Sequence, residues 1–372
     1  MTFAVGTSNG TVRVLSETGT LLSTVTPFGL YEGLVSVALG DFNGDTVADL
    51  AVAPANPVGV LGLSPALAGR VTVFDGAALS KGTLTVIRTF TPFSNHDGPD
   101  GSAGDYTNGL NIAAGDINGD GHVDLIAGTR GGNGTTSGQK EFGRLVVIDG
   151  NTPDGTNTAI GGIKTPFSAG YQKGVIVTAG NVDGVGGDEI AVTRGGPVVN
   201  PDPEVQKIKV KVLQFQGGTL AELPLTAGGL TAFAPFGGLA GAASGIKRDG
   251  RVAIVDSDGD GKDELVFSAL DPLTSTTNEQ VRVAVYAINP AASVGAASIA
   301  STGPDAGTYL TGTAVVDHAI THVAGTGTQQ NLVLLTESAS SGVVYLAPLT
   351  GAVQTGGFSM NVLHGGITID GI

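Results

Sequence analysis

Residues 40–52 read GDFNGDTVADLAV, and residues 115–128 read GDINGDGHVDLIAG. Two more copies follow, GNVDGVGGDEIAV at 180–192 and VDSDGDGKDELVF at 255–267. Their first ligand-type positions are 41, 116, 181 and 256, so the intervals are 75, 65 and 75 residues. A further 67 residues reaches Val323 in HVAGTGTQQNLVLL, which aligns without gaps but has no carboxylate. The C-terminal ITIDGI places Asp370 in the first position of a truncated copy. Fixed-period self-similarity of this length marks a repeat architecture.

Other features keep the same phase. TPF recurs at Thr26, Thr91 and Thr165, and APF stands at Ala234. GTVRVL, GRVTVFDG, GRLVVIDG, KIKVKVLQF and VRVAVYAI follow the acidic segments. Alternating apolar and small polar residues, rich in Val, Ile and Thr, predict strands. No window shows a helical period. Each unit reads as four short strands, which is the build of a propeller blade. Counting innermost strands near residues 34, 109, 174, 250, 318 and 366 predicts an all-β, six-bladed β-propeller with four-stranded blades. Seven blades is the alternative, since residues 290–330 are degenerate. The chain opens in mid-blade, so the C-terminal GGITIDG is expected to pair with the N-terminal FAVGT and close the ring without a free edge. The whole span 1–372 is expected to be a single domain.

Composition sets bounds on function. The 372 residues include 61 Gly, no Cys and no Trp, and carry a net charge of −15. Thiolate metal sites and disulfides are excluded. A strongly acidic chain is a poor match for nucleic acid or an anionic membrane surface. No apolar run reaches the ~18 residues of a membrane span. The N-terminal MTFAVGTSNG lacks the charged and apolar regions of a signal peptide.

The acidic segments follow the pattern Asp-x-Asn/Asp-Gly-Asp-x-x-x-Asp/Glu. Calcium takes about six to eight hard oxygens at roughly 2.3–2.6 Å. Acidic or amide side chains at alternate positions of a tight loop converge, and Gly in fourth place permits the turn. Site one would use Asp41, Asn43, Asp45, the Val47 carbonyl and Asp49. Site two would use Asp116, Asn118, Asp120, the His122 carbonyl and Asp124. Site four would use Asp256, Asp258, Asp260, the Lys262 carbonyl, and Glu264 or Asp263. Site three offers Asn181, Asp183, the Gly187 carbonyl, and Asp188 or Glu189. Val185 stands there in place of the fifth-position acid, so partial or no occupancy is expected. Three to four calcium ions follow as the cofactor expectation. The competing readings are metal-free Asn-Gly and Asp-Gly turns, or an EF-hand. An EF-hand needs flanking helices and a consistent acid at the twelfth position, and neither is present.

The GD-x-NGD-x-x-x-DL loop, with Phe28-Gly29 and Phe236-Gly237 before inner strands and Ala53-Pro54 after one loop, resembles the FG-GAP/VCBS repeat family. That family includes the integrin α-subunit propeller and bacterial secreted or surface proteins. The resemblance spans nearly the whole chain, with two departures: integrin propellers have seven blades, and the fifth loop here is empty of acids. It implies that the calcium loops lie on the lower face as structural braces, and that partners dock on the upper face.

Upper-face loops are long, including 54–69, 93–109, 130–142, 194–207, 236–250 and 271–280. Long loops on a rigid scaffold commonly carry binding residues. Tyr31, Tyr106 and Tyr171 each stand ten residues before an acidic loop, with Ile246 in the fourth such place. They either ring a ligand face or pack between blades. Arg130 and Arg194 recur in TRGG and offer either a cationic spot or structural contacts. His96 and Asp97 lie in the SNHDGPDGSAGDYTNG insertion, where a solvated loop is the plainer reading.

With five His, no Cys and no phased catalytic set, an enzyme is not expected. The expected function is an extracellular or cell-surface binding or adhesion module, a monomeric domain of a larger protein. Its partners would be calcium and a protein or glycan ligand, with no nucleic acid and no membrane insertion. Alternatives are a propeller-scaffold enzyme of polysaccharide lyase or phosphodiesterase type, a lectin, or a structural spacer.

Overall fold

A computed structural model gives the architecture. It describes residues 3–16, 20–55, 67–94, 106, 108–130, 143–167, 171, 174–194, 210–223, 248–256, 260–272, 279–289, 298–301, 307–310, 315–324, 330–338, 342–347, 357–360 and 367–371.

Short, β-branched stretches become strands, and hairpins join them in order. The first blade holds β1 (Phe3–Thr7), β2 (Val12–Leu15) and β3 (Leu21–Val25). Next come β4 (Val35–Gly40), β5 (Asp49–Pro54), β6 (Val71–Phe74) and β7 (Val86–Phe90), with a one-turn helix α1 (Gly76–Leu79) after β6. The third blade is β8 (Leu110–Gly115), β9 (Asp124–Thr129), β10 (Leu145–Ile148) and β11 (Ala159–Lys164). The fourth is β12 (Val175–Gly180), β13 (Glu189–Arg194), β14 (Val210–Gln216) and β15 (Thr219–Leu223). Then follow β16 (Arg248–Val255), β17 (Glu264–Pro272), β18 (Glu279–Asn289), β19 (Ser298–Ser301) and β20 (Gly307–Leu310). The last strands are β21 (Val315–Ala324), β22 (Gln330–Ser338), β23 (Gly342–Ala347), β24 (Gly357–Met360) and β25 (Ile367–Gly371).

All sheet pairings are antiparallel, as a β-propeller requires. Five sheets are four-stranded: β25-β1-β2-β3, β4 to β7, β8 to β11, β12 to β15 and β21 to β24. The sheet of β16 to β19 carries β20 as an additional strand on β18. Five blades, not six or seven, therefore have the expected uniform four-stranded form. The departure has a simple cause. β18 is 11 residues long, and no single short strand covers its outer edge. β19 pairs with Tyr286 to Asn289, while β20 pairs with Gln280 to Val283. Two short strands thus share the place of one fourth strand. β1 pairs with β25, with Val5 opposite Ile369, as the mid-blade opening predicts.

Burial falls from the second strand outward. β5 and β9 are buried at every residue, because a neighbouring sheet covers each of their faces. The outer strand β3 is mostly exposed. Each apolar cluster lies between consecutive sheets. One joins Val14, Phe28 and Tyr31 to Val37, Leu50 and Val52, and another joins Val192 and Tyr171 to Ile126, Leu145 and Ile160. First strands run side by side: β4 by β8, β8 by β12, β12 by β16, β16 by β21, β21 by β25 and β25 by β4. No helix among the described residues is long and apolar enough to cross a membrane.

Candidate metal loops and the inter-blade seam

The acidic segments connect first to second strands, where the sequence pattern places them. The ladder sets their geometry. Its last pairs are Gly40 with Asp49, Gly115 with Asp124, Gly180 with Glu189 and Val255 with Glu264. The residue after each first member opens the loop, and the second member closes it.

In loop one, Asp41 Oδ1 accepts the Gly44 and Asp45 N–H groups at 2.7 and 3.1 Å, and Oδ2 accepts Thr46 N–H at 2.8 Å. Asn43 Oδ1 accepts Asp45 N–H, and Asp45 Oδ1 accepts Val47 N–H, both at 2.8 Å. Buried Asp49 accepts Phe42 N–H at 3.0 Å and Gly76 N–H at 2.8 Å. Loop two repeats this. Asp116 accepts Asp120 and Gly121 N–H, Asn118 accepts Asp120 N–H, and Asp120 accepts His122 N–H. Asp124 accepts Ile117 N–H at 3.0 Å and Gly150 N–H at 2.8 Å. In loop four, Asp256 accepts Gly261 N–H and Asp260 accepts Lys262 N–H, while Glu264 is buried. Asp258 lies outside the described residues.

Burial opposes ionisation at the closing acids. It pushes Asp49 up to about 6, with Asp45 and Asp41 adding repulsion. It pushes Asp124 up to about 7. Among the described residues, no Lys or Arg forms an ion pair with Asp41, Asp45, Asp49, Asp116, Asp120 or Asp124. The same set does not, by side chains of His, Cys, Asp and Glu alone, bring three groups together around one metal-sized point. The donor set read from the sequence also counts Asn43, Asn118 and main-chain carbonyls. Every one of these donors is a hard oxygen, the chemistry a calcium ion prefers.

Loop three differs. Asn181 Oδ1 accepts Gly184 N–H at 2.7 Å, and Asp183 Oδ1 accepts Val185 N–H at 2.8 Å. Gln214 Nε2 donates to Asp183 Oδ2 at 2.8 Å and to Glu189 Oε1 at 3.3 Å. Burial, reinforced by Asp183, pushes Glu189 up to about 8.

The structure separates the paired acids that the sequence left open. Glu189 closes its own loop, through Val182 N–H at 3.0 Å. Asp188 reaches back one blade instead. Its Oδ2 accepts Asp116 N–H at 2.9 Å, and its own N–H donates to Asp116 O at 2.7 Å. Asp263 repeats the clasp on Asn181, at 2.7 and 2.9 Å. Burial raises both carboxyls. Gly187, expected to offer a carbonyl, packs against loop two, where an added Cβ would stand 2.6 Å from Asp116 O. The sequence offered Asp188, Asp263 and Gly187 only as calcium donors, and their seam role was missed. The signal was present, since the eighth loop position reads Ala48, Val123, Asp188 and Asp263.

Arg88 is another seam residue that the repeat pattern did not flag. Its guanidinium donates to the Gly150 and Thr152 carbonyls of the next blade and lies 5.0 Å from the Phe90 ring centre.

The tyrosines sit in the interior, at 1%, 2% and 7% exposure for Tyr31, Tyr106 and Tyr171. Each meets a phenylalanine of the TPF motif edge to face: Phe28, Phe93 and Phe167, with ring centres 5.7–5.9 Å apart. Tyr31 Oη donates to Leu34 O at 2.9 Å, and Tyr106 Oη donates to Arg130 O. The Arg194 guanidinium covers Phe167 and Tyr171 at 5.3 and 4.9 Å. Arg144 covers Phe93 and Tyr106 in the same way. Arg130 joins the next blade through a bridge to Gly174. The three tyrosines are thus buried in contacts between blades, while Arg130 and Arg194 are half-buried. Phe236, Gly237, Ile246, His96 and Asp97 lie outside the described residues, as does most of each long loop.

Residues 108–148 match the family model described as FG-GAP repeat. That span covers loop two and the strands on both sides of it. No curated protein sequence matches the chain. Among solved structures, the chain is similar to one described as the Dos1 propeller, at 12% identity and TM-score 0.39, over 97% of this chain and 67% of that one. It is also similar to a glycoside hydrolase family 43 arabinoxylan arabinofuranohydrolase from Bacillus subtilis in complex with cellotetraose. There the identity is 12% and the TM-score 0.33, over 98% of this chain and 89% of that one. At such scores neither likeness bears on chemistry.

Proposed function

We propose that this chain, a β-propeller carrying an FG-GAP repeat, is a calcium-stabilised extracellular binding or adhesion module. One observation carries the reading. Loops one and two each carry three carboxylates and an Asn amide oxygen at the end of a hairpin, and among the described residues no cationic side chain pairs with those acids. A buried acid without a counter-charge ordinarily neutralises or finds a cation. Repetition of the full set in three loops at blade period argues for a bound ion over three independent coincidences.

Asp41, Asn43, Asp45 and Asp49 would hold one ion, and Asp116, Asn118, Asp120 and Asp124 a second, with the Val47 and His122 carbonyls completing the sets. Asp256, Asp260 and Glu264 would contribute to another. The ion would neutralise the loop and tie the first strand to the second. It would do no chemistry on a substrate. An extracellular calcium pool in the millimolar range suits such loops. The pairing of β25 with β1 would complete the circle, so that no blade edge is left free. A protein or glycan partner would then dock on the opposite face, where the long loops emerge.

Calorimetric titration of the chelator-stripped protein tests the reading directly. Uptake of two or more calcium ions, with a rise in melting temperature, is the expected result. No uptake at millimolar calcium refutes it. Glycan arrays and immobilised extracellular proteins, probed with and without chelator, then test the docking face.

A further inference from the structure

Loop three departs from its neighbours in a consistent direction. Asn181 replaces the opening acid, and Val185, 70% exposed, stands where Asp45 and Asp120 stand in loops one and two. Two acids remain in the loop's own cluster, Asp183 and Glu189. Between them lies the Gln214 carboxamide, which gives one N–H to each. A primary amide has two N–H donors, so this use is complete.

Register fixes what Gln214 replaces. Ile190 pairs with Leu213 as Leu50 pairs with Phe74 and Leu125 with Ile148. The next residue is therefore Gln214 in this blade, and Asp75 and Asp149 in the two before it. Asp75 and Asp149 accept N–H bonds from their own turns, Ala78 and Asn151. Neither can donate to a carboxylate. In these three blades, the two with an acid at this place have full acidic loops, and the one with an amide that bridges two acids has a depleted loop. Among the described residues, loop two receives a single side-chain amide contact, from Asn151 Nδ2 to Asp120 at 3.3 Å.

We propose that loop three is built to close without a cation, with the Gln214 carboxamide bridging Asp183 and Glu189 where a metal would otherwise join them. The inference borrows from the calcium reading only the comparison with loops one and two. Its consequence is regional. Loop three is clasped to loop two through Asp188 and Asp116, and to loop four through Asp263 and Asn181. A cation-independent blade therefore stands between calcium-dependent ones and holds their loops in place when calcium falls.

Hydrogen exchange of the full chain, in calcium chloride and in EGTA, tests this. Amides of 41–49 and 116–124 should slow by about tenfold or more in calcium, while those of 181–189 change by less than about twofold. Gln214→Ala should speed exchange in 181–189 in both buffers. Val185→Asp combined with Gln214→Asp should take up one more calcium ion than the parent. The inference is overturned if calcium slows 181–189 as much as the other loops. It is equally overturned if Gln214→Ala leaves that segment unchanged, or if the double variant gains no ion while loops one and two bind theirs. If calcium slows none of the loops, the reading of loops one and two fails, and the Gln214→Ala comparison alone decides this one.

Discussion

At the scale of single residues, the proposed calcium would compete with the loop backbone for the same oxygens. Asp116 and Asp120 each cap backbone N–H groups, and both would ligate the ion. Asp116→Ala with Asp120→Ala should therefore remove one calcium ion from the stoichiometry. The cation-free protein should also lose about 0.5–1.5 kcal/mol, because exposed loop N–H groups exchange a fixed acceptor for water. Denaturant titration with and without calcium separates the two losses. Protons compete for these oxygens as well. Burial holds the folded-state values of Asp49 and Asp124 at about 6 and about 7, above their unfolded values. The cation-free fold binds extra protons there, so its stability rises as pH falls through that window. The ion needs the ionised form, so calcium affinity should fall over the same window. Titrations at pH 8 and pH 6 that give equal affinity would contradict this. Gly150 shows how little slack the site has. Its N–H serves Asp124, and an added Cβ would lie 1.9 Å from the Val123 carbonyl. Gly150→Ala should displace the turn and lower the melting point even in saturating calcium.

At the scale of elements, the seam between loops is the feature that repeat reading passed over. Asp188 exchanges two hydrogen bonds with Asp116 across the blade boundary. Asp188→Ala should cost about 1–3 kcal/mol, read by urea unfolding, and Asp188→Asn should recover most of it, since its amide oxygen also accepts. Equal losses in the two variants would mean that the contact is packing alone. Strand order and loop position were legible in the sequence, because period-two alternation and oxygen spacing are local properties. The neighbour that Asp188 faces is 72 residues away, and no local pattern encodes it. The Phe–Tyr pairs show the same limit. TPF and the tyrosines keep phase, yet Phe28 and Tyr31 are three residues apart while Phe93 and Tyr106 are thirteen apart. Loop length varies between them, so spacing does not announce that they touch. The doubled fourth strand on β18 was hidden for a related reason. Only the length of β18 in the folded sheet calls for a second cover.

At the scale of the whole molecule, the proposed ions and the terminal strand would act on different parts of one structure. Each bound calcium ion at a hundredfold excess over its dissociation constant would add about 2.7 kcal/mol. Chelation should lower the melting temperature by several degrees, on the order of 5 °C per site for a chain of this size. That loss is graded, because loops sit at the ends of hairpins whose strands remain paired. Loss of β25 has a different character. β1 pairs with β2 on one side and with β25 on the other, from Phe3 opposite Gly371 to Thr7 opposite Ile367. β25 also runs beside β4 and β21, so it touches the blades before and after its own. Deleting residues 366–372 exposes five β1 residues as an unpaired edge and strips a first strand from two seams at once. Exposed edges recruit strands from other copies. The truncated protein should therefore unfold at a markedly lower temperature and form dimers or larger species by light scattering, whatever the calcium concentration. A synthetic GGITIDGI peptide added in excess should restore the monomer. A truncated chain that stays monomeric with an unchanged melting curve would mean that β25 contributes no structural closure, and that the seams between the other first strands suffice.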